Sequence, residues 1–390
     1  MKQLKIIFRT IFVAFSILLT SNNAIAQDFD LSEMDSVEIG LVTCSPHEEI
    51  YSLYGHTALR YHDLKNHLDG VYNWGVFDYK KPHFAVRFVL GLTDYELGVA
   101  PTQPFCDYYK EGGSEVTEHV LNLTREEKWS IRNALIENSL PENRVYRYNF
   151  FYDNCSTRPR DIIEKNIKGR IVYQPREDYE PTYREMLHQH NSHHPWTAFG
   201  IDLLLGVNAD RKTTIREQEF LPFNLRHDFD HAYIERDGQR IPLIKERRQL
   251  VAPGIQMTEP DFPLSPRATF ILLFALTLAL TLYERYHKTK LRWFDTLLML
   301  LTGIPGLVLV LMIFSEHPTT SLNLQILLLN PLALLFVWPV WKGRKTKWFA
   351  ISTICLLAFM TGCFWQDYAE GMLFLALSLL CRNIAHYNDK

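Results

Sequence analysis

A cysteine in the setting of a nucleophile lies at position 155. An aromatic, strand-like run at 148–152 leads to Cys155, and helical spacing follows it. Pro159 has no backbone N–H and fits only in the first turn of a helix, so we expect this helix to begin close to Asn154 or Cys155. Unpaired N–H groups and the positive end of the helix dipole favour a thiolate over a thiol there. The sequence therefore predicts a nucleophilic sulfur.

A histidine that could act as its base precedes the cysteine in the chain. Alternating apolar and polar residues predict one strand at 56–61 and a second at 71–79. If the connection turns around 64 and 65, His56 faces Asn73, because cross-strand neighbours lie about 5 Å apart. Asn73 would then hold the imidazole in the tautomer that accepts a proton. The three residue types form a nucleophile, a base and an orienting group.

Two roles near the cysteine remain open at this point. The orienting group could instead be Asp78, Glu48 or His62. Asn149, on the aromatic run, could donate a hydrogen bond to a developing oxyanion. Against any catalytic role stands the ordinary alternative of a cysteine in a disulfide or a core and a histidine that is only hydrogen-bonded.

The start of the chain has the features of a secretory signal. Basic residues precede an apolar run at 11–20, and Ala24 and Ala26 supply the small residues of a cleavage site. We predict a signal peptide at 1–26. The alternative is an uncleaved anchor, although the run falls short of the about 20 residues that cross a bilayer.

The cysteines of the exported part are odd in number. Cys44, Cys106 and Cys155 would all lie outside the cytoplasm. Three cysteines cannot all pair within one chain, and a bridge between Cys44 and Cys106 would leave Cys155 as a free thiol in an oxidising compartment. A free thiol in that compartment indicates chemical use.

The C-terminal third reads as a membrane domain with five helices. The apolar stretches are 266–283, 294–314, 322–338, 348–365 and 371–385. The first and third connections carry several Lys and Arg residues, whereas the second and fourth carry none. The positive-inside rule therefore places the exported domain outside and the C-terminus in the cytoplasm. Tryptophans at the ends of the stretches are typical of membrane interfaces.

The charge balance bears on the class of partner, and the residue pattern divides the chain after the signal peptide into three parts. With 41 Lys+Arg against 44 Asp+Glu, the charge balance does not favour a nucleic-acid partner. We predict an α+β catalytic domain at 27–169, in which Thr124 and Glu127 form a capping box at the start of a helix. The proline-rich, charged segment 170–264 is an extension of unassigned fold, and 265–390 is the membrane domain.

Three motifs together resemble one protein family. They are Tyr-Gly-His-Thr-Ala-Leu-Arg at 54–60, Tyr-Asn-Trp-Gly-Val-Phe-Asp at 72–78 and Phe-Phe-Tyr-Asp-Asn-Cys-Ser-Thr-Arg at 150–158. They are similar to the N-terminal periplasmic domain of Lnb, a lipoprotein N-acyltransferase family of Bacteroidota. Phe-Leu-Pro at 220–222 and the multi-helix tail extend the resemblance over nearly the whole mature chain. The order of histidine before cysteine also resembles permuted papain-like folds, including the lecithin:retinol acyltransferase group.

The resemblance implies a ping-pong acyl transfer. Cys155 would take an acyl chain from a membrane phospholipid as a thioester, and the α-amino group of the diacylglyceryl-cysteine of an apolipoprotein would then accept it. His56 would move the proton in both halves. No metal, nucleotide or other cofactor is implied. The expected location is the inner membrane, with the catalytic domain in the periplasm.

Three basic residues are candidates for contact with the lipid. Arg158 and Arg160, beside the nucleophile, could bind its phosphate, and His317 in an outward loop could face the same site. For all three the alternative is ordinary surface charge.

Other functions compete with acyl transfer to a lipoprotein. A membrane-anchored papain-like hydrolase of peptidoglycan peptides, or a phospholipase, would use the same nucleophile with a different acceptor. A non-catalytic, metal-binding membrane protein would use the histidine cluster His188, His190, His193 and His194. The five apolar stretches argue against a wall hydrolase, which has little use for a membrane-embedded substrate path.

Overall fold

The computed structural model describes residues 30–47, 52–78, 80–256 and 262–387. The predicted signal peptide at 1–26 and the candidate Glu48 lie outside these residues. The described part consists of an exported domain built on a β-sheet, followed by a helical membrane region.

A seven-stranded antiparallel sheet organises the exported domain. The described strands are β1 (Val37–Cys44), β2 (His56–Asp63), β3 (Leu68–Val76), β4 (Asp94–Pro101), β5 (Val116–Leu121), β6 (Val145–Arg147), β7 (Arg170–Val172), β8 (Tyr233–Arg236), β9 (Gln239–Pro242) and β10 (Ile244–Val251). The main sheet has the order β10-β5-β1-β2-β3-β4-β6, and β7, β8 and β9 form a small second sheet. The two strands predicted around His56 and Asn73 are confirmed as β2 and β3.

Eight helices accompany these sheets in the described exported part. They are α1 (Phe84–Val89), α2 (Thr102–Glu111), α3 (Arg125–Ser139), α4 (Thr157–Asn166), α5 (Tyr183–Asn191), α6 (Pro195–Leu204), α7 (Ile215–Gln218) and α8 (Pro222–His231). The capping box predicted at the start of α3 is confirmed, since the Thr124 hydroxyl accepts from the Glu127 N–H and the Glu127 carboxylate accepts from the Thr124 N–H. Ile131 and Leu135 of α3 are fully buried in the same core cluster as Trp74 of β3.

The segment 170–264 joins the sheet domain at several points. Strand β10 pairs with β5 and becomes an edge of the main sheet. Phe229 of α8 and Ile234 of β8 are buried in the core cluster that also contains Leu59 and Trp74. Most of this segment is therefore packed with the domain that carries Cys155, which continues the α+β character predicted for 27–169.

The membrane region contains five apolar helices of unequal length among its described residues. They are α9 (Pro266–His287), α10 (Arg292–Ile313), α11 (Ala333–Trp341), α12 (Trp348–Gly362) and α13 (Met372–Tyr387). Only α9 and α10 combine the length and hydropathy of a membrane span, and α12 and α13 are shorter apolar helices. Five complete crossings therefore remain a prediction.

The third predicted apolar stretch, 322–338, differs from the structure. Its first part forms a short 3₁₀ helix at Leu324–Leu327, and α11 begins only at Ala333. Pro331 has no N–H to donate within a helix, and the Gln325 side chain is buried against the exported domain, where it donates to the Asp202 carbonyl (2.8 Å). The first part of this stretch therefore contacts the exported domain before α11 begins.

Helix α6 attaches the exported domain to the membrane helices. The Phe199 ring lies 5.6 Å from the ring of Phe270 in α9. Phe199 and Leu203 pack against the core cluster of the membrane helices. The Leu205 carbonyl, just after α6, accepts from the side chain of Gln366 (2.9 Å). An apolar helix of the exported segment therefore rests on the membrane domain.

Candidate active site

The turn that carries Cys155 is built by the side chain of Asn154. Its Oδ1 accepts the N–H groups of Ser156 (2.8 Å) and Thr157 (3.0 Å), and its Nδ2 donates to the carbonyls of Phe150 and Phe220 (2.8 and 2.9 Å). Asn154 is buried, so these four bonds hold the turn rigidly in the core.

The predicted helix start near Asn154 or Cys155 is wrong by about two residues. Helix α4 begins at Thr157, with Cys155 in the turn before it. The Ser156 and Thr157 N–H groups are satisfied by Asn154 and are not available to the sulfur. Ionisation of Cys155 must therefore depend on other partners.

Those partners are His56, Thr57 and Ser156. Burial opposes ionisation, but the His56 charge, a hydrogen bond with His56, the Thr57 backbone N–H and the Ser156 hydroxyl together lower the pKa of Cys155 below its ordinary value. The Ser156 hydroxyl lies 3.0 Å from the Thr57 hydroxyl. Cys155 keeps part of its surface accessible. The surroundings favour an ionised sulfur that a substrate can reach.

His56 has the complementary shift. Burial lowers its pKa, but the Cys155 charge and hydrogen bonds with Cys155 and Asn73 outweigh it and raise the pKa of the imidazole. The opposite shifts favour a thiolate–imidazolium pair. The structure therefore brings together two of the residues singled out by sequence.

Asn73 is brought to the same site. Its side-chain oxygen lies 2.5 Å from Nε2 of His56. An Nε2–H that donates to Asn73 leaves Nδ1 as the ring nitrogen available to the sulfur. Asn73 therefore lies where the third residue was expected, and its role in orienting the imidazole stays a prediction.

The register of the two strands differs from the prediction by two residues. The observed partners are Leu59 with Tyr72, with the connection at 64–67, so continued pairing places Asn73 opposite Ala58. Asp63 lengthens the turn by accepting the backbone N–H groups of Lys65 and Asn66. Because side chains alternate with a period of two, a shift of two keeps His56 and Asn73 on one face. They meet diagonally.

Gly75 was missed by the sequence analysis. Its φ of +124° belongs to a region that side chains rarely adopt, and pairing with β4 shifts between Trp74 and Val76. A Cβ here would lie 3.5 Å from Cε1 of His56 and 3.9 Å from Cβ of Cys155. A glycine inside a strand pattern signals a bulge or a close approach, and that signal could have identified it.

Aromatic rings surround the pair. The Tyr109 ring stacks near His56 at 6.4 Å between centroids. Burial raises the pKa of Tyr95, Tyr146 and Tyr148, and the nearby Cys155 charge raises each further. These hydroxyls stay neutral beside the sulfur.

The two other exported cysteines are free thiols. Cys44 and Cys106 are buried in one core cluster, and no disulfide is formed by any of the six cysteines, all of which are among the described residues. Burial raises the pKa of Cys44, which pairs with His56 across β1 and β2. Cys44 and Cys106 do not form the disulfide considered in the sequence analysis. Cys155 differs from both by its hydrogen bond with the imidazole of His56.

Asn149 shapes the loop before the nucleophile. Its Oδ1 accepts the N–H groups of Phe151 and Tyr152 (3.1 and 3.2 Å), and its backbone pairs with Asp153. These contacts are local, and a role as oxyanion donor stays a prediction.

The candidate lipid-binding residues have protein partners. Arg158 forms a two-pronged pair with Asp153 and lies over the Tyr146 ring at 3.7 Å. Arg160 is buried and pairs with the buried Glu219 (3.0 Å), so it is not the surface charge that the alternative interpretation assumed. Both guanidinium groups already pair with carboxylates of the protein. Phosphate binding stays a prediction for both.

His317 is likewise buried, in the connection between α10 and α11. Its Nε2 lies 3.1 Å from the Phe88 carbonyl of α1, and burial lowers its pKa. It joins the membrane region to the exported domain.

The competing residues lie elsewhere. Asp78 accepts the Lys80 N–H in a turn, and His62 lies near Glu38 at the other end of β2. In the histidine cluster, His188 bonds Asp202 (2.9 Å) and His190 lies beside Tyr54. No group of three or more metal-ligating side chains occurs in the part of the chain that the structure describes.

The end of the sheet that carries the pair faces the membrane region. Val76, next to Gly75, pairs with Glu96, two residues from Asp94 at the start of β4. Arg147 pairs with Asp94 (2.7 Å) and also with Glu316 (3.1 Å), which lies in the connection after α10. Cys155 and His56 therefore lie at the end of the sheet that is bonded to the membrane region.

Comparison with known proteins gives two matches. Residues 24–189 match the family model described as the Lnb N-terminal periplasmic domain, and residues 257–390 match the model described as the Lnb transmembrane domain. No curated protein and no solved structure matches the chain.

Proposed function

The chain belongs to the Lnb family, a membership that makes it a membrane enzyme of lipoprotein maturation, and we propose that it is an N-acyltransferase with Cys155 as its nucleophile. The observation that carries the proposal is the pair of opposite pKa shifts at Cys155 and His56. Shifts in these directions favour a thiolate as nucleophile beside an imidazolium as proton donor.

The first half-reaction loads the enzyme with an acyl chain. The Cys155 thiolate attacks the carbonyl carbon of a phospholipid ester, a C–S bond forms, and the C–O bond to the glycerol breaks. The His56 imidazolium gives its proton to the departing oxygen, so that a neutral lysophospholipid alcohol leaves. Asn73 keeps Nε2 occupied, so the proton is delivered from the nitrogen beside the sulfur.

The second half-reaction transfers the chain to an amine. The α-amino group of a diacylglyceryl-cysteine attacks the thioester carbonyl, an amide forms, and the C–S bond breaks. His56 takes the proton that the amine loses, which restores the thiolate–imidazolium pair. The surrounding rings reduce competing hydrolysis by limiting water near the thioester.

The position of the pair supports a lipid donor. The end of the sheet at which the pair lies is bonded to the connection after α10 through the ion pair of Arg147 and Glu316. We propose that this end faces the outer leaflet of the inner membrane, with the C-terminus in the cytoplasm, as the distribution of Lys and Arg indicates. The chain's own residues supply the chemistry proposed for both steps.

A peptidoglycan hydrolase is not favoured as the function. Both family matches are to domains of one lipoprotein-maturation family, and they include the membrane region. A phospholipase would differ only in using water to resolve the thioester.

The test is complementation of cells depleted of their own lipoprotein N-acyltransferase. We expect the intact chain to restore triacylated lipoproteins, measured by mass spectrometry of lipoprotein N-termini, and Cys155→Ala and His56→Ala to fail. Cys106→Ala is the matched control, because it removes a buried exported thiol that has no place in the mechanism. Triacylated lipoprotein in cells that carry Cys155→Ala would refute the proposal.

A further inference from the structure

Helix α1 is bonded to the membrane region along its C-terminal end. The Ser315 hydroxyl donates to the Val89 carbonyl (2.8 Å), and the Glu316 N–H donates to the Leu90 carbonyl (3.0 Å). The ring of His317 lies against the Phe88 carbonyl. Three consecutive residues after α10 therefore hold α1 at the level where that membrane helix ends.

Two exposed side chains of α1 are apolar, and they lie on different sides of the helix because they are two residues apart. Val86 is 52% exposed and Phe88 is 38% exposed, and Phe314 at the end of α10 is 75% exposed. Isolated exposed apolar residues are ordinary, but the C-terminal end of this helix is hydrogen-bonded to the residues that follow α10. Because exposed apolar side chains at the end of a membrane helix would contact lipid, the occupant that fits them is lipid hydrocarbon.

A line of aromatic rings joins α1 to the catalytic pair. Phe84 of α1 stacks on Phe77 (5.7 Å between centroids), Phe77 stacks on Tyr95 (4.9 Å), and Tyr95 stacks on Tyr148 (4.0 Å). Tyr95 and Tyr148 are close enough to Cys155 to respond to its charge. This row of packed rings connects α1 with the surroundings of Cys155.

We propose that α1 lies in the outer leaflet and receives the acyl chain of the donor phospholipid on its way to Cys155. This inference rests on the proposed acyl transfer and specifies where the donor binds. Helix α1 is then a lipid-binding element, with Val86 and Phe88 in contact with the hydrocarbon.

Photolabelling of the full chain in membranes tests the contact directly. The probe is a phosphatidylethanolamine with a diazirine in its acyl chain, and labelled peptides are identified by mass spectrometry. We expect labelling of the peptide that contains 84–90. Leu68 and Val99 are matched controls, since they are 58% and 55% exposed but lie in strands at the opposite end of the sheet, where Gly70 pairs with Pro101. Equal labelling of these strands, or labelling confined to α9–α13, would overturn the proposal.

Kinetics separate lipid binding from chemistry. We expect Val86→Asn with Phe88→Asn to raise KM for the phospholipid on the order of tenfold or more, because each loses apolar contact with the chain. The rate of Cys155 alkylation by iodoacetamide should stay at the wild-type value, which shows an intact site. An unchanged KM would refute the role of α1. If the wild-type chain releases no lysophospholipid, the acyl-transfer proposal fails, and the photolabelling alone then decides whether α1 contacts lipid.

Discussion

Replacement of Asn73 by alanine tests how the imidazole is held. The change removes the acceptor 2.5 Å from Nε2 of His56. A hydrogen bond to a charged group contributes about 1.5–3 kcal/mol. Because this hydrogen bond is one of the contacts that raise the pKa of His56, we expect that pKa to fall in the variant.

The direction of the change in the pH profile follows from the two shifts. The active pair exists above the lowered pKa of Cys155 and below the raised pKa of His56. A lower pKa of His56 in Asn73→Ala moves the alkaline limb of kcat/KM to lower pH. The maximal rate should fall about 10- to 100-fold, since about 1.4 kcal/mol equals a factor of ten.

The assay is lysophospholipid release against pH, together with the pH dependence of Cys155 alkylation. Asn73→Asp should shift the alkaline limb in the opposite direction, because a carboxylate stabilises the imidazolium more strongly. Asn138→Ala is the matched control, since Asn138 also accepts from a ring N–H, that of Trp74 (2.8 Å), away from the pair. An alkaline limb that is the same in Asn73→Ala and Asn138→Ala would refute the reasoning.

Two further predictions concern the support of the site. Gly75→Ala should cost about 1–3 kcal/mol of stability and reduce activity, because its φ of +124° strains any side chain. Gly70→Ala in the same strand should change the thermal unfolding temperature and the activity much less, and equal losses in the two variants would contradict this. Arg160→Ala should destabilise the domain by about 1–3 kcal/mol, because it removes the hydrogen-bond donor of the buried Glu219, whose pKa burial raises to about 8. Arg158→Ala removes a more exposed pair and should cost about 1 kcal/mol or less. An Arg160→Ala variant with normal thermal unfolding and a raised KM for phospholipid would support the lipid-phosphate role instead.

Local signals in the sequence were sufficient to select three candidate residues that the fold brings together. Cys155, His56 and Asn73 were selected from residue type and strand pattern, and alternation of apolar residues is a local property that survives in the fold. The separation into an exported and a membrane part also follows from composition along the chain. The two family matches agree with that separation.

The tertiary structure decided which groups ionise the sulfur. The backbone N–H groups expected to stabilise the sulfur donate instead to the Asn154 side chain. That side chain is held in place by the carbonyl of Phe220, which is distant in the chain. The Thr57 N–H and the close approach of Gly75 likewise depend on how β2 and β3 pair with the rest of the sheet. The position of α1 against Ser315 and Glu316 joins residues far apart in the chain. Hydrogen bonds of this kind join residues that are distant in the chain and meet only when the protein folds. They cannot be predicted from the residue spacing within one segment.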